Sequence, residues 1–189
     1  MKRLAREDWL DLAVETLKDQ GVRGLTLDTL CALAGRTRGS FYHHFVSIEA
    51  LIAAVVERWR LTETETIASR TLEIPDAREG LALMARLTDA IDHRLERGVR
   101  VLAMTSDAAR ETVELTDQRR EAVMVDLLTR AYDLTPEVAG AAARLFHALH
   151  HTAVMRSPED IRGYTRGTIR VVVSWLEAAG HASADTSGN

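Results

Sequence analysis

Residues 26–48, TLDTLCALAGRTRGSFYHHFVSI, leave this chain few ways to fold. Leu27, Leu30, Cys31 and Ala34 recur at helical spacing and give a short apolar stripe. Thr26 stands where a helix N-cap is wanted, and Gly35 follows the last apolar position, where a left-handed residue closes a helix. A second short helix is expected over 37–44. It carries Arg38, Ser40, Tyr42, His43 and His44 inside a window, 29–48, that holds no acidic residue. Helix, glycine turn, helix is the arrangement whose second helix enters the major groove of DNA. Two helices this short cannot bury a core alone. The helix expected over 4–20, with Trp9, Leu12, Ala13, Thr16 and Leu17 on one face and Gly21 at its end, is positioned to cover them.

The run Ala34-Gly35-Arg36-Thr37-Arg38-Gly39-Ser40-Phe41-Tyr42-His43-His44-Phe45 resembles the DNA-reading segment of the tetracycline-repressor (TetR) family of bacterial regulators. The resemblance includes the amphipathic helix before it and Glu49-Ala50-Leu51 after it, and is close over the first quarter of the chain. It implies that Thr37, Arg38, Ser40 and His43 face base edges, with Gly39 among them, and that Thr26, Tyr42 and His44 hold phosphates. Two positions depart from the family's pattern. Arg36 stands where an apolar residue is usual, which puts it on the DNA face or changes the packing of the turn. Ile48 stands where a phosphate-binding Lys is common. The competing reading is an ordinary helical surface that happens to carry two histidines.

The rest reads as helix. Ser47 caps a fourth helix with Leu51, Ile52, Val55, Val56 and Trp59 along it, and Pro75 breaks the pattern. Further helices are expected over 76–97 (ended by Gly98), 99–105, 108–132, 136–155 and 158–179. The last two have clear starts, Thr135-Pro136-Glu137 and Ser157-Pro158-Glu159, each a cap, a proline at the first position and acid in the first turn. The expectation is an all-α chain of about nine helices: a helix-turn-helix domain over 1–46, a ligand-binding and dimerisation domain over 47–180, and a disordered polar tail over 181–189.

The formal net charge is −4, and the first fifty residues hold seven basic and seven acidic groups. DNA binding therefore rests on local charge and the motif, since overall charge does not point to it. The single Cys31 permits no intrachain disulfide and reads as a small buried residue. The charged N-terminus lacks a signal-peptide apolar run, and no stretch approaches a membrane span, so a cytoplasmic protein without a membrane partner is expected. No nucleophile elbow, phosphate-cradling glycine loop or HExxH occurs, and no enzymatic activity or cofactor is expected.

The resemblance also implies a small-molecule effector among helices four to seven. Trp59, Met84, His93, Met104 and Phe146 are candidate lining residues, though each taken singly reads first as simple core. His147, His150 and His151 have helical spacings that let one face offer metal ligands; the bland alternative is polar residues at a subunit interface. The expected function is a homodimeric regulator, joined through helices eight and nine, that binds a palindromic double-stranded operator and is released by an effector. The alternative is a small-molecule binding protein whose helix-turn-helix has lost its DNA role.

Overall fold

The computed structural model describes residues 4–186, the stretch 179–186 as helix backbone. Among the described residues there are nine helices and no strand. They are α1 (Arg6–Gln20), α2 (Leu27–Ala34), α3 (Arg38–Tyr42), α4 (48–72), α5 (Ala77–Asp89), α6 (Arg94–Ala103), α7 (Asp107–Tyr132), α8 (Pro136–Arg156) and α9 (Ile161–Thr186). Two compact units divide them: Met1–Leu61 with His93–Glu114, and Thr62–Asp92 with the chain from Leu115 onward. These packing units do not follow the 46/47 boundary expected from sequence. The first half of α4 and the whole of α6 share a core with α1–α3.

That core is built on Trp9, which is fully buried with Leu30, Phe41, Leu51, Val55, Trp59 and Val99. Phe41 is the inward residue of α3. Its ring meets Trp9 edge-on at 5.4 Å and stacks on Phe45 at 5.7 Å. Five residues are too few for a helix to persist alone in water, so this burial is what fixes α3. Arg58 of α4 pairs with both Glu7 and Asp11 of α1 at the rim.

Gly98 corrects the sequence expectation. It does not end a helix; it lies inside α6, where an added Cβ would meet Leu17 Cγ of α1 at 2.6 Å. The helix expected over 76–97 is two helices instead, α5 and α6. The Ala90 and Ile91 amides turn back to Leu87 and Thr88, which tightens the chain out of the α5 spiral, with no glycine or proline to announce it. The helix expected over 99–105 is the second half of α6.

In the second unit, α8 lays Ala139, Ala142 and Ala143 against Leu128, Val172 and Leu176. A second cluster joins Ala68, Ala77, Val123 and Leu127. Thr135 caps α8 as read, with Pro136 at its first position. The start of α9 differs. Pro158 sits in a turn, and Asp160 caps the helix by accepting the Gly163 amide at 2.8 Å. Two caps compete within four residues, and the carboxylate nearer the periodic apolar run wins. The backbone of α9 continues to Thr186, past Gly180 and into the stretch expected to be a tail; 187–189 lie outside the described residues. A π-type turn, Leu61–Glu65, interrupts α4. Thr64 within it is buried and accepts a hydrogen bond from Arg120 Nε of α7 at 2.8 Å.

Phe41→Ala should destabilise the chain by about 3–5 kcal/mol, the usual range for a large aromatic lost from a core. Chemical denaturation followed by circular dichroism measures this, and a loss below about 1 kcal/mol would mean that α3 is held some other way.

Candidate nucleic-acid interface

The turn between α2 and α3 is set by backbone chemistry. The Thr26 hydroxyl oxygen accepts the Thr29 amide at 3.2 Å and starts α2. Gly35 adopts φ +59°, a left-handed conformation that costs an ordinary L-residue about 1–2 kcal/mol. The Gly35 and Arg36 amides close the helix end on Ala32 and Cys31 carbonyls. Thr37 then caps α3 by accepting the Ser40 amide at 3.3 Å. With Phe41 turned inward, the rest of α3 is displayed: Thr37, Arg38, Gly39, Tyr42 and His43 are exposed, and Ser40 and His44 half-buried. The imidazoles of His43 and His44 meet edge-on at 5.0 Å. Arg36, half-buried, lines a shallow depression with Cys31, Ala32, Gly35, Thr37 and Ser40, so it faces the same side as the reading helix.

Arg38 is not a free side chain. Its Nη2 and Nε both donate to Asp28 Oδ1, at 2.6 and 3.0 Å. The hydrogen bond to Asp28 raises the pKa of the guanidinium further. Sequence reasoning missed this acid because the acid-free window begins at Thr29, one residue beyond it. Only the reversal of the chain at Gly35 brings Asp28 and Arg38 together. Burial, and then Asp28, push the Cys31 thiol up, which keeps it protonated and fits the buried-residue reading. Ile48 is half-buried and packs on the core of the first unit, so the side chain at the family's lysine position is spent on packing.

The effector candidates are divided between the two packing units. Trp59 is fully buried in the core of the first unit. His93 is buried with Nδ1 3.8 Å from Glu96 Oε2, while Met104 is 76% exposed. In the second unit Met84 packs on the Val123–Leu127 cluster and Phe146 on the Leu128 cluster. A feature with no sequence signal is the Glu96–Arg100 pair of α6, both buried, joined through Oε1 at 2.8 and 2.9 Å. His147 Nε2 lies 3.5 Å from Asp117 Oδ2. His147, His150 and His151 form no three-ligand group among the described residues. None of the described helices is long and apolar enough to cross a membrane.

Residues 10–55 match the family described as bacterial regulatory proteins, tetR family. No curated protein matches the chain. Among solved structures, the chain is similar to a proposed transcriptional regulator of Pseudomonas aeruginosa PAO1, at 21% identity and a TM-score of 0.68 over 96% of each chain. It is also similar to a TetR-like transcriptional regulator from Rhodococcus sp. RHA1, at 18% identity and a TM-score of 0.66 over all of both chains. NalD, the secondary repressor of the MexAB-OprM multidrug efflux pump in Pseudomonas aeruginosa, aligns at 21% identity and a TM-score of 0.57, covering 87% of this chain and 94% of that one. At these identities the structures establish a shared fold.

Arg38→Ala should lower affinity for the preferred DNA by about 1–3 kcal/mol and relax the preference at one base position per half-site. Tyr42→Phe should weaken binding to all sequences alike, because a phosphate contact carries no sequence information. Fluorescence anisotropy on matched and mismatched duplexes separates the two effects, and the reverse pattern would exchange the roles. The matched segment over 10–55 contains the whole of this surface, and over that segment the chain is similar to the bacterial regulatory proteins of the tetR family.

Proposed function

We propose that the chain is a homodimeric repressor that binds a palindromic operator and leaves it when a small molecule binds the helices beyond the reading domain. DNA binding and regulation of transcription are the family's work. The observation that carries the rest is the division of α3, with Phe41 committed to the core and the remaining side chains displayed. In this reading 1–46 contacts DNA, and 47–180 holds the effector and the dimer contact. NalD, with the same fold, is described as a repressor of an efflux pump, which favours repression here.

The dimer is assigned to α8 and α9. On α9, Tyr164, Val171 and Trp175 are exposed at spacings of seven and four, which puts them on one stripe; Trp175 is 63% exposed. Val172 packs inside the protomer, so a charge there would damage the fold before it tested the interface. Two such helix pairs make a four-helix bundle with two-fold symmetry. Val171→Asp with Trp175→Asp should give a folded monomer by light scattering. A dimer in that variant would move the interface elsewhere.

Release requires the effector to prefer the form that binds DNA less well. The helix α4 belongs to both packing units, its first half to one and its end to the other, and is the element that such a preference would act through. Coupling is reciprocal and typically worth ~1–3 kcal/mol, so operator DNA should weaken the effector by the same ~5–150-fold. The reading is tested by titrating the protein onto the duplex upstream of its own gene with a random duplex as competitor. Selective binding is expected. Equal affinity for both duplexes would favour the small-molecule binding protein whose helix-turn-helix is idle.

A further inference from the structure

We propose that Asp28 is a specificity-determining residue of the DNA-reading surface, holding Arg38 by one edge of its guanidinium so that the other edge is presented to a guanine. This rests on the DNA-binding reading above. A guanidinium has five N–H donors in a fixed plane. Asp28 Oδ1 takes the Nε–H and one N–H of Nη2, which is the side edge of the fork. Three N–H groups remain, and two of them, one outward on each of Nη1 and Nη2, form the end edge. Two parallel donors of that kind match O6 and N7 of guanine in the major groove.

The pair has no evident stabilising task. The two side chains are 65% and 73% exposed, and an ion pair in water contributes little to folding. Its location is also wrong for affinity, since a carboxylate on this surface repels the phosphates on which non-specific binding depends. Both features make sense as discrimination. An untethered arginine can swing to the nearest phosphate on any sequence. A tethered one gains its contacts only where a guanine stands in front of it, and the carboxylate penalises the alternatives. Asp28 touches no base in this account. It is a positioning residue that acts through Arg38.

The test is selection of binding sites from a random-sequence duplex pool by the full chain, as wild type, Asp28→Ala, Asp28→Asn, Arg38→Ala and Asp28→Ala with Arg38→Ala. Thermal melting confirms that each variant folds. The wild type should enrich a motif with one guanine per half-site that Arg38→Ala no longer prefers. Asp28→Ala should reduce the preference at that position alone by about five-fold or more, the lower end of the ~5–150-fold that one mismatched base pair costs. Its affinity for poly(dI-dC) should rise. Asp28→Asn should weaken the same position, and in the Arg38→Ala background the Asp28 change should have no effect there. Full preference retained in both single Asp28 variants, or an equal effect in the Arg38→Ala background, overturns the proposal while leaving DNA binding intact. If the wild type enriches no motif, the DNA-binding reading fails and takes this proposal with it.

Discussion

The reading surface depends on one contact, the perpendicular packing of Phe41 on Trp9. A five-residue helix has too few internal hydrogen bonds to hold its own shape. It is held because Phe41 is driven into the core that α1, α4 and α6 already form around Trp9. Once that ring is buried, helix geometry determines where Arg38, Tyr42 and His43 point. The exposed chemistry is a consequence of the buried chemistry.

Charge acts locally on that frame. The protein as a whole is acidic, and its first fifty residues are balanced, so no general attraction brings it to DNA. The reading face lies in an acid-free run between Asp28 and Glu49, and Asp28 is bonded to the one arginine of α3. Under the role proposed for Asp28, such a surface would give up non-specific affinity and keep discrimination. Packing of Ile48 in place of a basic side chain acts in the same direction.

What was legible in the sequence was local. Thr26, Ser47 and Thr135 announce helix starts because an N-cap needs only its own next turn, and all three caps form. Gly35 announces the left-handed turn for the same reason. The Trp9 stripe follows from periodicity. The illegible features are those decided by distant neighbours. Gly98 looks like a helix stop until Leu17 of α1 is seen to need its missing side chain. The break between α5 and α6 carries no breaker residue, because its two halves are committed to different packing units. The π-type turn in α4 is matched by Arg120, more than fifty residues away. Asp28 lies ten residues before Arg38 and meets it only after the chain reverses.

With α2 and α3 proposed as the DNA-bound face, amide hydrogen exchange is the direct test. Exchange is measured on the protein alone and saturated with the duplex upstream of its own gene. Slowed exchange in peptides covering 26–45, with peptides from 115–178 largely unchanged, is the predicted result. A bound complex in which 26–45 exchanges as fast as in the free protein would contradict it.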